Sequence, residues 1–206
     1  MKVFLCRAHS RREPGFSIPG EPELNEWFLS EEFVFGAAKA FEGSGHDVDV
    51  LGASLGIRIA LIKAHCRTHP ASDTVAVEMH CNAMEDRPLQ RGFFCMAWHS
   101  SEEAIKMSQA VNRELREMRP LAKCRGVNKV SHDRRWVGTG MEYEDSPLGF
   151  LENIPCPSVI VETGYLTSPI DSNWLRVQGN RYVLGRAVGK GILNYLEDRD
   201  GKVSKP

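Results

Sequence analysis

The sequence has no long apolar run. None of its 206 residues lies in anything close to the roughly 20 consecutive apolar positions that a membrane-crossing helix needs, so no integral membrane association is expected. The first apolar stretch, Val3-Phe4-Leu5-Cys6, is far too short for the h-region of a secretory signal. The expectation is synthesis in a cytoplasm without a signal peptide, with delivery by other means if the target lies outside. An excess of one charge is also missing. Lys and Arg number 26 against 27 Asp and Glu, a formal net charge of -1, which lacks the basic surplus of nucleic-acid or anionic-surface binders. Cysteine is sparse and scattered, at Cys6, Cys66, Cys81, Cys95, Cys124 and Cys156, with no CxxC pair. A disulfide framework would be denser, so the expectation is reduced thiols, most of them small buried hydrophobes. There is no internal repeat, no low-complexity linker and no sign of a second domain. The sequence carries no signature of oligomeric state.

What is present is ordinary for a globular chain: 42% hydrophobic and 26% charged residues, in a length that buries a real core. Residues 2–7 read as a strand, followed by a loop carrying Gly15, Pro19, Gly20 and Pro22. Phe33, Val34, Ala37 and Phe41 recur at helical spacing and predict a helix over about 26–42. Residues 47–51 alternate as a strand, and 57–64 predict a helix. Residues 74–80 and 93–98 read as strands. Ser100 with Glu103 makes a capping-box pattern opening a helix that runs to about Met118. Ser158 to Val161 is a β-branched strand ending at Glu162, and a last helix covers about 182–196. Strands alternate with helices throughout. The fold class is therefore α/β, one domain over 1–197 with a mainly parallel twisted sheet flanked by helices, and a polar tail over 198–206.

Three polar residues fall at or just past strand ends: His9, His80 and Glu162. In an open α/β sheet the carboxyl ends of parallel strands line the ligand crevice, so two imidazoles and a carboxylate can converge from distant parts of the chain. A catalytic zinc site takes three N or O ligands and leaves a fourth position for water. If Glu162 is kept as a base, a third ligand is missing. The helix after the first loop offers Glu26, Glu31 and Glu32. At about 100° per residue, Glu26 lies roughly 40° from the centre of the apolar stripe, Glu31 roughly 100° and Glu32 roughly 160°. Glu26 thus points inward at the helix start, after Asn25 as N-cap.

These residues resemble the zinc-dependent N-acetylmuramoyl-L-alanine amidases of bacterial wall remodelling and of phage endolysins, over about residues 2–197. The family's Gly-His-Gly or Gly-His-Ser turn is matched by Ala8-His9-Ser10, and its helix-opening glutamate by Asn25-Glu26. Its His-x-Asn-Ala is matched by His80-Cys81-Asn82-Ala83. Its Val-Glu-x-Gly-Phe-x-Ser/Thr-Asn is matched by Val161-Glu162-Thr163-Gly164-Tyr165-Leu166-Thr167-Ser168. Residues 148–154 look like the Leu-rich turn before that strand. Ala8 for glycine and Ser168 for asparagine are the departures. The resemblance implies a zinc-hydrolase architecture of the amidase/exopeptidase kind. It implies Zn2+ held by His9, Glu26 and His80, and Glu162 as general base on a zinc-activated water. The substrate would be peptidoglycan, cut between N-acetylmuramic acid and L-alanine. The expected setting is a phage endolysin made in the host bacterial cytoplasm and acting on the cell wall.

Rival chemistries are visible. Gly52-Ala53-Ser54-Leu55-Gly56 matches the GxSxG elbow of α/β-hydrolase serine esterases. Too few strands precede it, and no histidine follows His132. His65 and His69 have i, i+4 spacing but lack the HExxH glutamate. His99-Ser-Ser-Glu102 resembles the HxxE of zinc carboxypeptidases, although a glutamate at a helix start is explained by the helix dipole. An amidase-like module that binds without cutting would lack one of the four site residues.

Overall fold

A computed structural model describes residues 1–87, 89–118, 124–130 (backbone only) and 148–201. The strands are β1 (Lys2–Arg7), β2 (Ser17–Ile18), β3 (Glu21–Asn25), β4 (Asp47–Leu51), β5 (Thr74–Asn82), β6 (Phe93–Trp98), β7 (Cys124–Val130) and β8 (Ser158–Tyr165). The helices are α1 (Glu26–Ala40), α2 (Leu55–Thr68), α3 (Glu102–Glu117), α4 (Gly149–Asn153), α5 (Pro169–Leu175) and α6 (Gln178–Arg199). Six strands form one sheet in the order β4-β1-β5-β8-β6-β7. The first four run parallel; β6 is antiparallel to β8 and parallel to β7. This is the mainly parallel α/β architecture that the alternation of elements implies.

Alternating side chains sort into two cores, as the period of two requires. Val3, Leu5, Val75, Val77, Val159 and Val161 face the layer of α1, α3 and α6. Phe4, Cys6, Ala76, Met96 and Ile160 face the other side, where Ile62 of α2 and Phe150 and Leu151 of α4 pack. That second cover is thin: α2 buries only Arg58 and Ile62. The chain leaves β1 for β4 on one side, then crosses back to β5 on the other. The connections diverge between β1 and β5, which is where an open α/β sheet forms its ligand crevice.

Several expectations shift in detail. The first loop contains a small antiparallel hairpin of β2 and β3, which its glycines and prolines hide from periodicity. The third helix is capped by Ser101, whose side chain accepts from the Ala104 amide, one residue later than the Ser100 box. Glu162 is not the end of its strand, because β8 continues to Tyr165. The last helix runs on to Arg199, so the expected polar tail begins inside it, and 202–206 lie outside the described residues. The strand β7 and helices α4 and α5 were not anticipated as such. Ser168 accepts from the Asp171 amide as N-cap of α5, so serine there keeps the capping capacity of the family's asparagine. None of the five described cysteines is joined in a disulfide. Among the described residues no helix is long and apolar enough to cross a membrane.

The helix α1, which carries Glu26, is clamped against α6 by missing side chains. A Cβ on Gly185 would land on the Phe33 carbonyl, one on Gly189 on the Ala37 carbonyl, and one on Gly36 on the Tyr182 carbonyl. Backbone cannot yield as a side chain can. Gly185→Ala is therefore expected to destabilise by about 1–3 kcal/mol or more, an overpacking cost. Gly179→Ala, with open space around it, should cost nothing or stabilise slightly. Urea unfolding of the two variants checks this, and equal midpoints would refute the clamp.

Candidate metal centre

His9 lies two residues beyond β1, where Ala8 still donates its amide to the Met79 carbonyl. The chain then reverses at His9 itself, which takes a left-handed φ of 57°, the only described non-glycine to do so. Alanine in place of the family's first glycine is accommodated because Ala8 keeps its bond to β5 and the unusual conformation falls one residue later. His80 projects from β5 on the thinly covered face, two residues on from Glu78. Glu26 is the first residue of α1, after Asn25, whose side chain accepts from the Phe28 amide. That position brings its carboxylate across the strand ends.

The three side chains meet. Glu26 Oε1 lies 3.1 Å from His9 Nε2, and Glu26 Oε2 lies 3.1 Å from His80 Nδ1. One ligand atom from each lies within 4.8 Å of the others, the one such cluster among the described residues. Backbone amides complete the carboxylate's bonding: Phe16 donates to Oε1 at 3.0 Å and Cys81 to Oε2 at 3.2 Å. Burial alone would raise the Glu26 carboxyl. Hydrogen bonds and charge from His80 and His9 overcome it and hold the carboxyl at about 2. By contrast, Glu31 is exposed against Arg7 and Glu32 bonds Gln178 at the surface.

Glu162 pairs with His80 in the β5–β8 register and is buried, with no hydrogen-bond partner for its Oε2. Burial drives its pKa up to about 8, against the lowering charge of His80 and with repulsion from Glu26 and Glu78. Two further charged groups escaped the sequence reading. Glu78 Oε2 lies 3.0 Å from His80 Nε2, and its Oε1 receives the Arg58 guanidinium. Arg58 also donates to the carbonyls of His9 at 2.6 Å and Ala53 at 2.8 Å. The signal for Glu78 was a carboxylate in an otherwise apolar strand, on the same face as His80. Burial opposes a charge on His80, yet Glu78 and Glu26 lift its pKa well above the usual imidazole range.

The residues fit a zinc ion. Two nitrogens with one carboxylate suit a catalytic set, and one ligand atom from each lies within 4.8 Å of the others, a spread that small side-chain shifts would bring to the roughly 3.3–3.6 Å between tetrahedral donors. Gly15, at φ +77°, leaves the space beside them clear: a Cβ there would meet His9 Nε2 at 2.6 Å and Glu26 Oε1 at 2.8 Å. The cluster opens into a cavity of about 460 Å³, whose apolar wall includes Leu55, Met96, Leu148, Phe150 and Ile160, with Glu162 among its polar residues.

The other candidates do not converge. Ser54 is exposed at the N-cap of α2, makes no side-chain cap bond and has no histidine partner among the described residues; His132 lies outside them. His65 and His69 stack at the exposed end of α2. His99 packs near the Trp98 ring, while Glu102 opens α3.

Gly15 offers a controlled test. Gly15→Ala and Gly20→Ala both force alanine into a left-handed backbone, at about 1–2 kcal/mol each. Only Gly15→Ala intrudes on His9 and Glu26. It should bind less zinc in equilibrium dialysis while Gly20→Ala binds as wild type. Equal zinc content in the two variants would mean that these side chains do not form the metal cradle.

The fold has counterparts among solved structures. An amidase of Nostoc punctiforme, AmiC2, superposes with a TM-score of 0.74 at 20% identity, covering 96% of this chain and 97% of that one. The CwlD amidase of Clostridioides difficile, solved in complex with the GerS lipoprotein, gives 0.75 at 17% identity over 96% and 98%. The catalytic domain of the CD27L endolysin, which targets Clostridia difficile, gives 0.65 at 17% identity over 94% and 97%. No curated protein matches the sequence. The family model for N-acetylmuramoyl-L-alanine amidase matches residues 3–194, nearly the whole sequence, and the chain therefore belongs to that family.

Proposed function

We propose that the chain is a zinc-dependent peptidoglycan amidase that hydrolyses the bond between the lactyl group of N-acetylmuramic acid and L-alanine. The observation that carries this reading is the meeting of His9, Glu26 and His80 beside a buried carboxylate with a free oxygen. Zinc held by these three side chains would act as a Lewis acid and bring the pKa of a water at the fourth position to about 7. The remaining work belongs to the chain. Glu162 Oε2, unengaged by any other group, accepts the proton of the attacking water and returns it to the departing amide nitrogen. Burial holds the Glu162 carboxyl at about 8, and a cation on His9, Glu26 and His80 would favour its ionised, proton-accepting form. The apolar wall of the cavity limits competing water, while its open side admits the stem peptide.

A cysteine nucleophile is disfavoured. Cys81 adjoins His80, but burial raises its thiol pKa and it contacts the Thr163 hydroxyl at 3.4 Å. The finer role we propose is that of a phage endolysin acting on the host wall, supported by the likeness to the CD27L catalytic domain. The likeness to bacterial amidases equally supports wall remodelling.

Mass analysis of digested peptidoglycan should show free stem peptides beginning with L-alanine and intact glycan strands. Chelation should abolish this release and zinc should restore it; full activity in metal-free protein would return attention to Ser54. Glu162→Gln should keep zinc and lose roughly 10²–10⁴-fold in turnover, the usual scale of general acid–base catalysis. Near-wild-type turnover in that variant would remove Glu162 as the base. Glu26→Ala should lose zinc and activity together while Glu31→Ala keeps both, and zinc loss in the Glu31 variant instead would reverse the ligand assignment.

A further inference from the structure

We infer that Arg58 and Glu78 are positioning residues, a buried ion pair that aims both histidines of the metal centre. The inference rests on the zinc reading above and adds to it. Glu78 Oε2 lies 3.0 Å from His80 Nε2, while Nδ1 of the same ring faces Glu26. With Nε2–H donated to Glu78, the Nδ1 lone pair is directed at the triad. A carboxylate behind a metal-binding imidazole fixes its tautomer and orientation and makes it a stronger donor.

Glu78 cannot turn away, because its other oxygen accepts from Arg58. Arg58 is 1% exposed, an unusual depth for a guanidinium on a helix whose only other buried residue is Ile62. A buried guanidinium has five N–H donors to satisfy, and where they go is informative. Arg58 also holds the carbonyl of His9, the residue in left-handed conformation, and that of Ala53 in the turn before α2. One cation therefore ties the reversal that presents His9 to the carboxylate that orients His80. It also balances the charge of Glu78, leaving that of Glu26 to face the metal.

The experiment compares two double variants with wild type. Arg58→Met/Glu78→Leu removes both charges and the acceptor. Replacing a whole buried pair by apolar groups is often neutral for stability, whereas removing one partner is not. Arg58→Met/Glu78→Gln also removes both charges but restores an oxygen for His80 Nε2–H. Zinc affinity is read by chelator competition, and the visible spectrum of the cobalt-substituted protein reports the coordination. The leucine double is expected to bind zinc 10–100-fold more weakly, the usual scale for such outer partners. The glutamine double should recover a good part of that loss. Unchanged affinity in the leucine double, or equal losses in both, overturns the inference.

If the double variants do not fold, zinc-loaded wild type still decides. The His80 Nε2–H proton should be a downfield resonance that exchanges slowly with solvent, and rapid exchange overturns the inference. The readouts also separate the two proposals. Wild type that binds no zinc defeats both. Wild type that binds zinc tightly and matches the leucine double defeats this one alone.

Discussion

The Glu26 carboxylate is the point on which the site depends. It is buried, yet two backbone amides donate to it and an imidazole nitrogen lies 3.1 Å from each of its oxygens, so that each oxygen has two partners. Stranded without them, a charged carboxylate in that position would be very costly. Those partners come from three separated places: the turn after β1, the entry to the hairpin, and the strand β5, which supplies both His80 and the Cys81 amide. Satisfying one buried charge therefore fixes the relative placement of all three, before any ligand is considered. The contrast with Glu162 is chemical. Two carboxylates lining one cavity are driven in opposite directions, one to about 2 by its donors and the other to about 8 by burial with an empty oxygen. Such divergence suits the separate roles proposed for them above.

The fold supports this by unequal cover. The layer of α1, α3 and α6 is thick, and glycines let α1 and α6 approach backbone to backbone. The opposite face is covered by a helix that buries two residues and by the short α4. Charged groups gather on that thinner side because it offers a cavity as well as a core. The antiparallel turn of the sheet at β6 ends the parallel run at β8, so the crevice lies among β1, β5 and β8, and each supplies or adjoins a polar residue of the site.

Much of this was legible in the chain. The placing of His9 just past β1 follows from a short apolar run broken by polar residues, whereas β5, read as ending at His80, runs on to Asn82. The inward direction of Glu26 follows from the phase of Phe33, Val34, Ala37 and Phe41. What was hidden had physical reasons. The β2–β3 hairpin is too short and too rich in glycine and proline to show a period. The extension of β8 runs through Glu162, Thr163 and Gly164, which carry no apolar alternation, yet they are buried because the site and its neighbours enclose them. Arg58 resembles any solvated arginine on a helix until the fold closes over it. Glu78 was passed over because a strand read for its hydrophobic face conceals the meaning of one acid. Ser168-Pro169 was a readable start for α5, a capping residue followed by proline in the first turn.

The left-handed backbone at His9 bears on how this chain can evolve. A side chain in that conformation costs about 1–2 kcal/mol that glycine would not incur. On the zinc reading proposed above, position 9 is held away from its stability optimum by the imidazole it presents. Selection for thermal tolerance alone would then favour glycine there and dismantle the proposed centre. Laboratory stabilisation of this chain that scores folding without turnover would move towards an inert scaffold, with this residue among the first to be exchanged.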